Sequence, residues 1–423
     1  MNLSIPETDK KRVVVIGGGF AGITFINNID ENLYQTVLID QNNYHQFQPL
    51  IYQVTSSGLE AASICFPFRR LFHKKNDFHF RLTKVLSVDS QQKTIKTELG
   101  SLSYDYLVIC AGATTNFRGN KNIEKVGLPM KSVEESILIR NRMIENIEAS
   151  LTASEENKDS YYNFVVVGGG ATGVEISGLL SEMRRYVLPK NFKTIDIEKI
   201  HIYLISSSIL ASMSEHASKC ARRDLEKMGV EIIAGKRVVD YDEKTHSVIM
   251  DDGSTIKARI LIWVSGVIAV TLDGVPETSI GKGGRIICNQ YMEVEGMDSV
   301  FAAGDIALTS EDAYPNGHPQ MAQVAMQQAR LIAKNLNAVV NGKERKTFKY
   351  VNLGSMATIG RNKAVADIGG MHFSGFIAWG MWMVIHLRSI LGVKNKIIVL
   401  FDWIINYFNY IGSLRLLMFK GKR

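Results

Sequence analysis

Val13-Val14-Val15-Ile16-Gly17-Gly18-Gly19-Phe20-Ala21-Gly22 decides the fold. Four apolar residues in succession read as a strand buried on both faces. The apolar positions that follow (Ile23, Phe25, Ile26, Ile29) recur at helical spacing. Between strand and helix stands a G-x-G-x-x-G turn. Its first glycine, Gly17, makes the bend, Gly19 lets a pyrophosphate approach the backbone, and Gly22 lets helix and strand pack closely. The next apolar run, Val37-Leu38-Ile39, ends in Asp40, where a carboxylate accepts the ribose hydroxyls of a dinucleotide.

The pattern recurs. Phe164-Val165-Val166-Val167 runs into Gly168-Gly169-Gly170-Ala171-Thr172-Gly173, followed by Val174, Ile176, Leu179 and Leu180. Each copy is followed by a late strand ending in a small-residue turn, Tyr106–Cys110 into Ala111-Gly112 and Ile260–Val264 into Ser265-Gly266. Gly17 and Gly112 are 95 residues apart, and Gly168 and Gly266 are 98 apart, so the architecture is duplicated. One glycine loop alone is weak evidence; two, each with the required strand and helix, point to an α/β protein with two Rossmann-like dinucleotide-binding domains. Residues 81–102 and 230–256 alternate and read as antiparallel additions. Val300–Ala303 delivers Gly304-Asp305, a helix is expected from about Pro319 to Leu336, and a β-like stretch runs on to Asp367. In the second copy the equivalent strand, His201–Ile205, ends in Ser206-Ser207-Ser208 with no acid and no adjacent arginine for a 2′-phosphate. NADH is the expected nucleotide there, with NADPH left open.

Composition narrows the class. The chain has 423 residues, is 46% hydrophobic and 22% charged, and carries a formal charge of +7, which describes a folded protein of more than one domain. Its four cysteines (Cys65, Cys110, Cys220, Cys288) form no C-x-x-C pair, so a disulfide-stapled scaffold, a zinc ribbon and a vicinal dithiol site are all excluded. The first twelve residues contain no apolar stretch, so no signal peptide is expected. Residues 371–423 hold seven basic side chains, one acid and three of the four tryptophans, Trp379, Trp382 and Trp403. A basic, tryptophan-rich, apolar tail suits an anionic membrane surface better than nucleic acid.

The two loops, the Cys110-Ala111-Gly112-Ala113 turn and Gly304-Asp305 resemble the two-dinucleotide flavoprotein reductases of glutathione-reductase-like fold. Asn43–Gln53, the Ala322-Gln323-Val324-Ala325-Met326-Gln327 match to A-Q-x-A-x-Q, and the tail resemble one branch, the type II NADH dehydrogenases. The resemblance implies a FAD-dependent, non-proton-pumping NADH:quinone oxidoreductase of the respiratory chain. Gly17, Gly19, Gly22 and Asp40 would hold the ADP half of FAD, and Ala111 and Gly112 would also bind the cofactor. Gly304 and Asp305 would meet its ribityl and pyrophosphate region. Gly168, Gly170 and Gly173 would cradle NADH, Glu175 would face the nicotinamide, and Gln323 and Gln327 would lie at the quinone end of the flavin. The residues leave alternatives open, since Glu175 also suits a helix N-terminus and glutamines at i and i+4 also suit a solvent stripe. No metal is expected, and a sulfide- or disulfide-reducing branch lacks its paired cysteines.

The expected organisation is 1–118 and 278–370 for FAD, 119–277 for NAD(P)H, and 371–423 for membrane anchoring. Residues 368–387 carry no charge, but glycines and histidines dilute them and the helix is expected to start near Ser374. Asp402, Asn406, Asn409 and Ser413 fall on one face of a second, amphipathic helix. The expectation is monotopic attachment to the cytoplasmic face of the cell membrane as a homodimer, with one membrane span as the minority reading. Rival functions are a soluble reductase of ferredoxin or oxygen and a membrane-bound flavin redox sensor. Lys363 is a speculative charge partner near the quinone, and ubiquinone is not distinguished from menaquinone.

Overall fold

Apolar runs without alternation build the framework, because a strand covered on both faces has no solvent side to mark. In the computed structural model, which describes residues 3–409, β1 is Lys11–Ile16, with Val13, Val14 and Val15 fully buried. It enters α1 (Phe20–Asn28), then β2 (Tyr34–Asp40), β3 (Phe78–Leu82) and β4 (Tyr106–Ile109). The second copy gives β5 (Asn163–Val167), α2 (Ala171–Glu182), β6 (His201–Ser206), β7 (Val230–Ala234) and β8 (Ile260–Trp263). There follow β9 (Val300–Ala302), α3 (Ala322–Val340), β10 (Ser355–Gly360), β11 (Lys363–Ile368), β12 (Met371–Ser374), α4 (Gly375–Ser389) and α5 (Val393–Asn409).

These elements assemble into two units. The first comprises the described residues up to Gln46, Cys65–Thr114 and Val267–Asn352. Its parallel sheet has the order β9-β4-β1-β2-β3, and α1 packs on α3. The second comprises Phe47–Ile64, Thr115–Gly266 and the described residues from Leu353 onward. Its parallel sheet has the order Leu128–Pro129, β8, β5, β6, β7. The central registers coincide, Ile16 pairing with Ile39 and Val167 with Ile205, so the two halves repeat strand for strand.

Three details differ from expectation. The antiparallel additions are shorter, Val85–Ser103 and Val238–Lys257, because β3 and β7 are outer strands of the parallel sheets. The helix expected from Pro319 spans Ala322–Val340 instead. Residues 47–64 and 353–370, on the flavin side by sequence, cluster with the second unit.

In the second unit α2 lies almost against β10: a methyl group on Gly178 would stand 1.7 Å from the Ile359 carbonyl oxygen. β10, β11 and β12 form an antiparallel sheet that receives α4. The Gly369-Gly370 turn and β12 take up the start of the uncharged stretch. That leaves α4 only 15 residues, or about 22 Å. No described helix is long and apolar enough to cross a membrane.

Candidate active site

The first glycine loop has the geometry that its spacing implies. Gly17 has φ +95°, and a Cβ there would meet the Cys110 carbonyl oxygen at 2.4 Å. A Cβ on Gly22 would lie 2.0 Å from the Gly17 carbonyl oxygen, whereas one on Gly19 or Gly112 would meet nothing within 4 Å. Gly19 is the N-cap of α1 and brings no capping side chain, so the helix end faces open space with its positive pole. Asp40 accepts the Gly18 amide at 2.6 Å and the Asn42 amide at 2.7 Å, which fixes its carboxylate at the rim of the loop. Burial pushes Asp40 up from the usual carboxylate range, and the two amides oppose that. Behind the loop His45 is buried. Its Nδ1 lies 3.0 Å from the Gly18 carbonyl oxygen, and its Nε2 has no partner among the described residues. A backbone cradle, a fixed carboxylate and an orphaned buried nitrogen fit the ADP half of FAD.

β9 delivers Gly304 at φ +85°, with its amide donating to Gln328 Oε1 at 2.8 Å. Asp305 accepts Gln320 Nε2 at its carbonyl, 2.9 Å away, and its carboxylate acts electrostatically on the buried Arg285. Gln323 is the second residue of α3 and half-buried. Gln327 lies a turn later, where its amide bridges both polar atoms of the Val351 backbone at 2.9 and 3.0 Å. Gln328, which the A-Q-x-A-x-Q pattern does not include, is the fully buried glutamine. A buried amide bonded to the glycine turn could have been suspected from its position on the apolar face of the helix.

The second loop repeats the first. Gly168 has φ +122°, a Cβ on Gly173 would stand 1.7 Å from the Gly168 carbonyl oxygen, and Gly170 faces open space at the N-cap of α2. At the end of β6, where the first copy has Asp40, stands Ser206, whose hydroxyl donates to the Ser208 carbonyl at 2.8 Å. Cations that the sequence did not place at this strand end reach it in the structure. β7 pairs with β6 up to Ser206↔Ala234, and Gly235, at φ +79°, turns the chain back. Lys236 and Arg237 then line one cleft with Ser206, Ser207 and Arg118. The cations are remote from Ser206 in sequence, which is why a search for an adjacent arginine missed them.

Glu175 opens onto a different cavity of about 170 Å³. Its walls include Tyr52, Thr358, Glu182, Arg361 and the tryptophans Trp379, Trp382 and Trp403. Burial among these rings raises the Glu175 carboxyl to about 8, against a smaller opposing contribution from the Thr358 amide. Glu175 is therefore mainly a neutral acid at pH 7. Tyr52 and Thr358 place their hydroxyl oxygens 2.8 Å apart, Gln53 Nε2 donates to Tyr52 at 3.0 Å, and Trp403 Nε1 donates to Gln53 Oε1 at 2.8 Å. Seven residues along α2, Glu182 accepts the Arg361 amide at 2.6 Å. Burial raises this acid too, while the charges of Arg361 and Lys363 oppose the rise. Lys363 thus acts on Glu182. Arg361 donates to the Asn406 carbonyl near the end of α5 at 2.7 Å and lies over the Tyr407 ring. Nothing in the sequence marks 47–64 or Arg361 as cavity walls, since no motif joins them to α2.

α5 is amphipathic with polar groups on its inward side, whereas α4 buries Ala378 and Trp382. Asn395 donates to the Ala62 and Ser63 carbonyls, Asn406 donates to the Gly58 carbonyl, and Val399 and Trp403 are buried. Facing out are Phe376 (64% exposed), Val384 (68%), Phe401 (59%) and Phe408 (74%). Ile411, Ser413 and the basic residues from Arg415 lie outside the described residues, as does the side chain of Asn409. All four cysteines are free, and burial pushes the thiols of Cys65, Cys110 and Cys288 up to about 12, where they are poor nucleophiles. No cluster of metal-ligating side chains occurs among the described residues.

Comparison with known proteins agrees with this geometry. The family described as pyridine nucleotide-disulphide oxidoreductase matches residues 11–329, and the NDH2 C-terminal domain matches 352–409. The type II NADH:quinone oxidoreductase Ndh of Mycobacterium tuberculosis is 32% identical, covering 94% of this chain and 88% of its own. The Staphylococcus aureus type II NADH:quinone oxidoreductase is 27% identical, covering 90% and 96%. NDH2 of Plasmodium falciparum, solved in complex with NADH, superposes with a TM-score of 0.89 at 21% identity, covering 96% of this chain and 99% of that one. A sulfide:quinone oxidoreductase of Aquifex aeolicus shares the fold at a TM-score of 0.72 and 18% identity.

Proposed function

We infer the function from one premise, that the chain belongs to the type II NADH:quinone oxidoreductase family. It is a FAD-dependent flavoprotein that oxidises NADH and reduces a quinone. FAD, when bound, would supply the redox chemistry that links NADH to the quinone.

The chain's own residues bind, orient and protonate. Gly17, Gly19, Gly22, Asp40, the Ala111-Gly112 turn, Gly304 and Asp305 are assigned to FAD, and Gly168, Gly170 and Gly173 to NADH. This follows the partition of 1–118 and 278–370 against 119–277, in which function and not compactness draws the boundary. Reducing a quinone to a quinol takes two electrons and two protons. NADH brings one hydrogen with its electron pair, so one further proton must come from an acid. Glu175, expected to face the nicotinamide, is neutral at pH 7 in an aromatic cavity and is proposed instead as that acid, and this is the observation that carries the reading. Gln323 is assigned to the quinone end. Gln327 is assigned there too, since its bonds to the Val351 backbone leave one amide hydrogen and one oxygen lone pair open.

The outward apolar side of α4 and α5 is assigned to a lipid surface. Greasy side chains exposed along two consecutive helices, with the asparagines of α5 turned inward, have a favourable place in a bilayer interface and none in water. The cytoplasmic face, a homodimeric assembly and a reaction without proton pumping belong to the same proposal. Stopped-flow spectroscopy of the purified protein tests it. NADH should bleach the flavin absorbance, and a short-chain quinone should restore it within the turnover time. A colourless protein, or a flavin that quinone does not reoxidise, would reject the assignment.

A further inference from the structure

The cleft at the end of β6 carries an inference that rests on reading the second glycine loop as the pyridine-nucleotide site and goes on to its specificity. A dinucleotide lying on that loop has its adenine-side ribose at the end of β6, the place Asp40 occupies in the first copy. A carboxylate there holds the free ribose diol and repels a 2′-phosphate. Ser206 removes that repulsion, and its hydroxyl is turned to the Ser208 carbonyl.

Three cations line the same cleft with the carboxylate Asp251, and a second carboxylate, Asp252, pairs with Lys236 beside it. Arg237 lies 69% exposed and bonds Asp251 through its backbone amide at 3.1 Å and Nε at 3.2 Å. Its terminal nitrogens make no hydrogen bond among the described residues, so the guanidinium keeps an open edge. Lys236 pairs with Asp252 at 2.6 Å and Ser254 at 3.1 Å, which aligns its ammonium without closing it, since an ammonium has three donors. Arg118 also lines the cleft, donating to the Ser265 hydroxyl at 3.4 Å. The cleft measures about 490 Å³, ample for a phosphorylated ribose.

We propose that the cleft formed by Ser206, Lys236, Arg237 and Arg118 binds the 2′-phosphate of the adenine-side ribose, so that the enzyme accepts NADPH in addition to NADH. Asp251 moderates the attraction while orienting Arg237, which suits a site open to both nucleotides.

Calorimetric titration of the FAD-loaded enzyme with 2′,5′-ADP and with 5′-ADP tests this without turnover, the first dinucleotide site being filled. One charge-assisted hydrogen bond gives 2′,5′-ADP an advantage of about tenfold at low salt, shrinking as salt rises. The double variant Lys236→Gln, Arg237→Gln should lose that advantage while keeping its affinity for 5′-ADP. Ser206→Glu should reverse the preference. Retained flavin absorbance in each variant reports an intact fold. An advantage of threefold or less, or one that survives the double variant, would overturn the proposal. Absence of binding by either nucleotide would instead overturn the reading of the second loop itself.

Discussion

Trp403 donates its indole N–H to Gln53 Oε1 at 2.8 Å, which ties the buried side of an otherwise greasy helix to the body of its unit. The bond runs inward from the face that carries Asn395 and Asn406, so α5 has its polarity reversed relative to a helix on a soluble protein. Such reversal is stable only where something apolar covers the other side.

Charging the outer face should therefore release the protein from lipid and leave its chemistry intact. Phe401→Glu with Ile404→Glu is expected to weaken co-sedimentation with anionic vesicles by at least about a hundredfold, since each apolar side chain is worth roughly 1.5–3 kcal/mol of transfer. NADH oxidation by a water-soluble acceptor should keep its rate. Undiminished vesicle binding would sink the membrane assignment.

Glu175 sets a pH limb. Its carboxyl titrates near 8, so the protonated form predominates below that pH and proton donation falls as pH rises through it. Glu175→Gln should slow quinone reduction by about 10²- to 10⁴-fold, remove the limb, and leave flavin reduction by NADH near its original rate. Stability offers a second reading. Because the folded-state value lies above the unfolded one, the folded state holds the extra proton between about pH 4.5 and 8, and stability is lost as pH rises through that window. Above pH 8 the glutamine variant should melt higher than the parent. An equal or lower melting temperature there would show that the acid is not held neutral.

Gly19 and Gly22 should part company. Gly22→Ala places a methyl group 2.0 Å from the Gly17 carbonyl oxygen and should destabilise the fold itself. Gly19→Ala meets no protein atom within 4 Å, so the chain should fold normally and yet retain much less flavin, the methyl group intruding only on a bound phosphate. Absorbance at the flavin bands against circular dichroism separates the two. Full flavin content in Gly19→Ala would mean that the group lies elsewhere.

At the other pole of the chemistry, Gln323→Leu is expected to slow the quinone half-reaction at least tenfold with little change in the NADH half-reaction, as followed by stopped flow. Equal slowing of both would remove Gln323 from the quinone end. Gln327→Leu is expected to slow the quinone half-reaction as well, with little change in thermal stability, because the Val351 backbone it releases is open to water.

How much of this was legible follows from what each residue depends on. The glycine loops could be read directly, because steric demand at Gly17 or Gly173 is local and only one residue type satisfies it. α4 could be placed from Ser374 onward for the same reason, since Gly369-Gly370 breaks the chain just before it. Lys236 and Arg237 were not legible. They come to Ser206 through the register of β6 with β7 and the turn at Gly235, both of which are tertiary facts. The walls of the Glu175 cavity are drawn from residues 52–58, 175–187, 358–361 and 379–407, a closure over more than three hundred residues that no periodicity announces.

Along α2 the nucleotide loop, the proposed proton donor, the close approach of Gly178 to Ile359 and the Glu182 grip on Arg361 follow one another within fifteen residues, and Arg361 in turn holds the end of α5. Such a rod has no slack. A molecule wedged among the tryptophans must strain the same shaft that receives the pyridine nucleotide, so inhibitors of that pocket should reveal themselves as mixed and not purely competitive, and resistance to them should arise at positions no inhibitor touches.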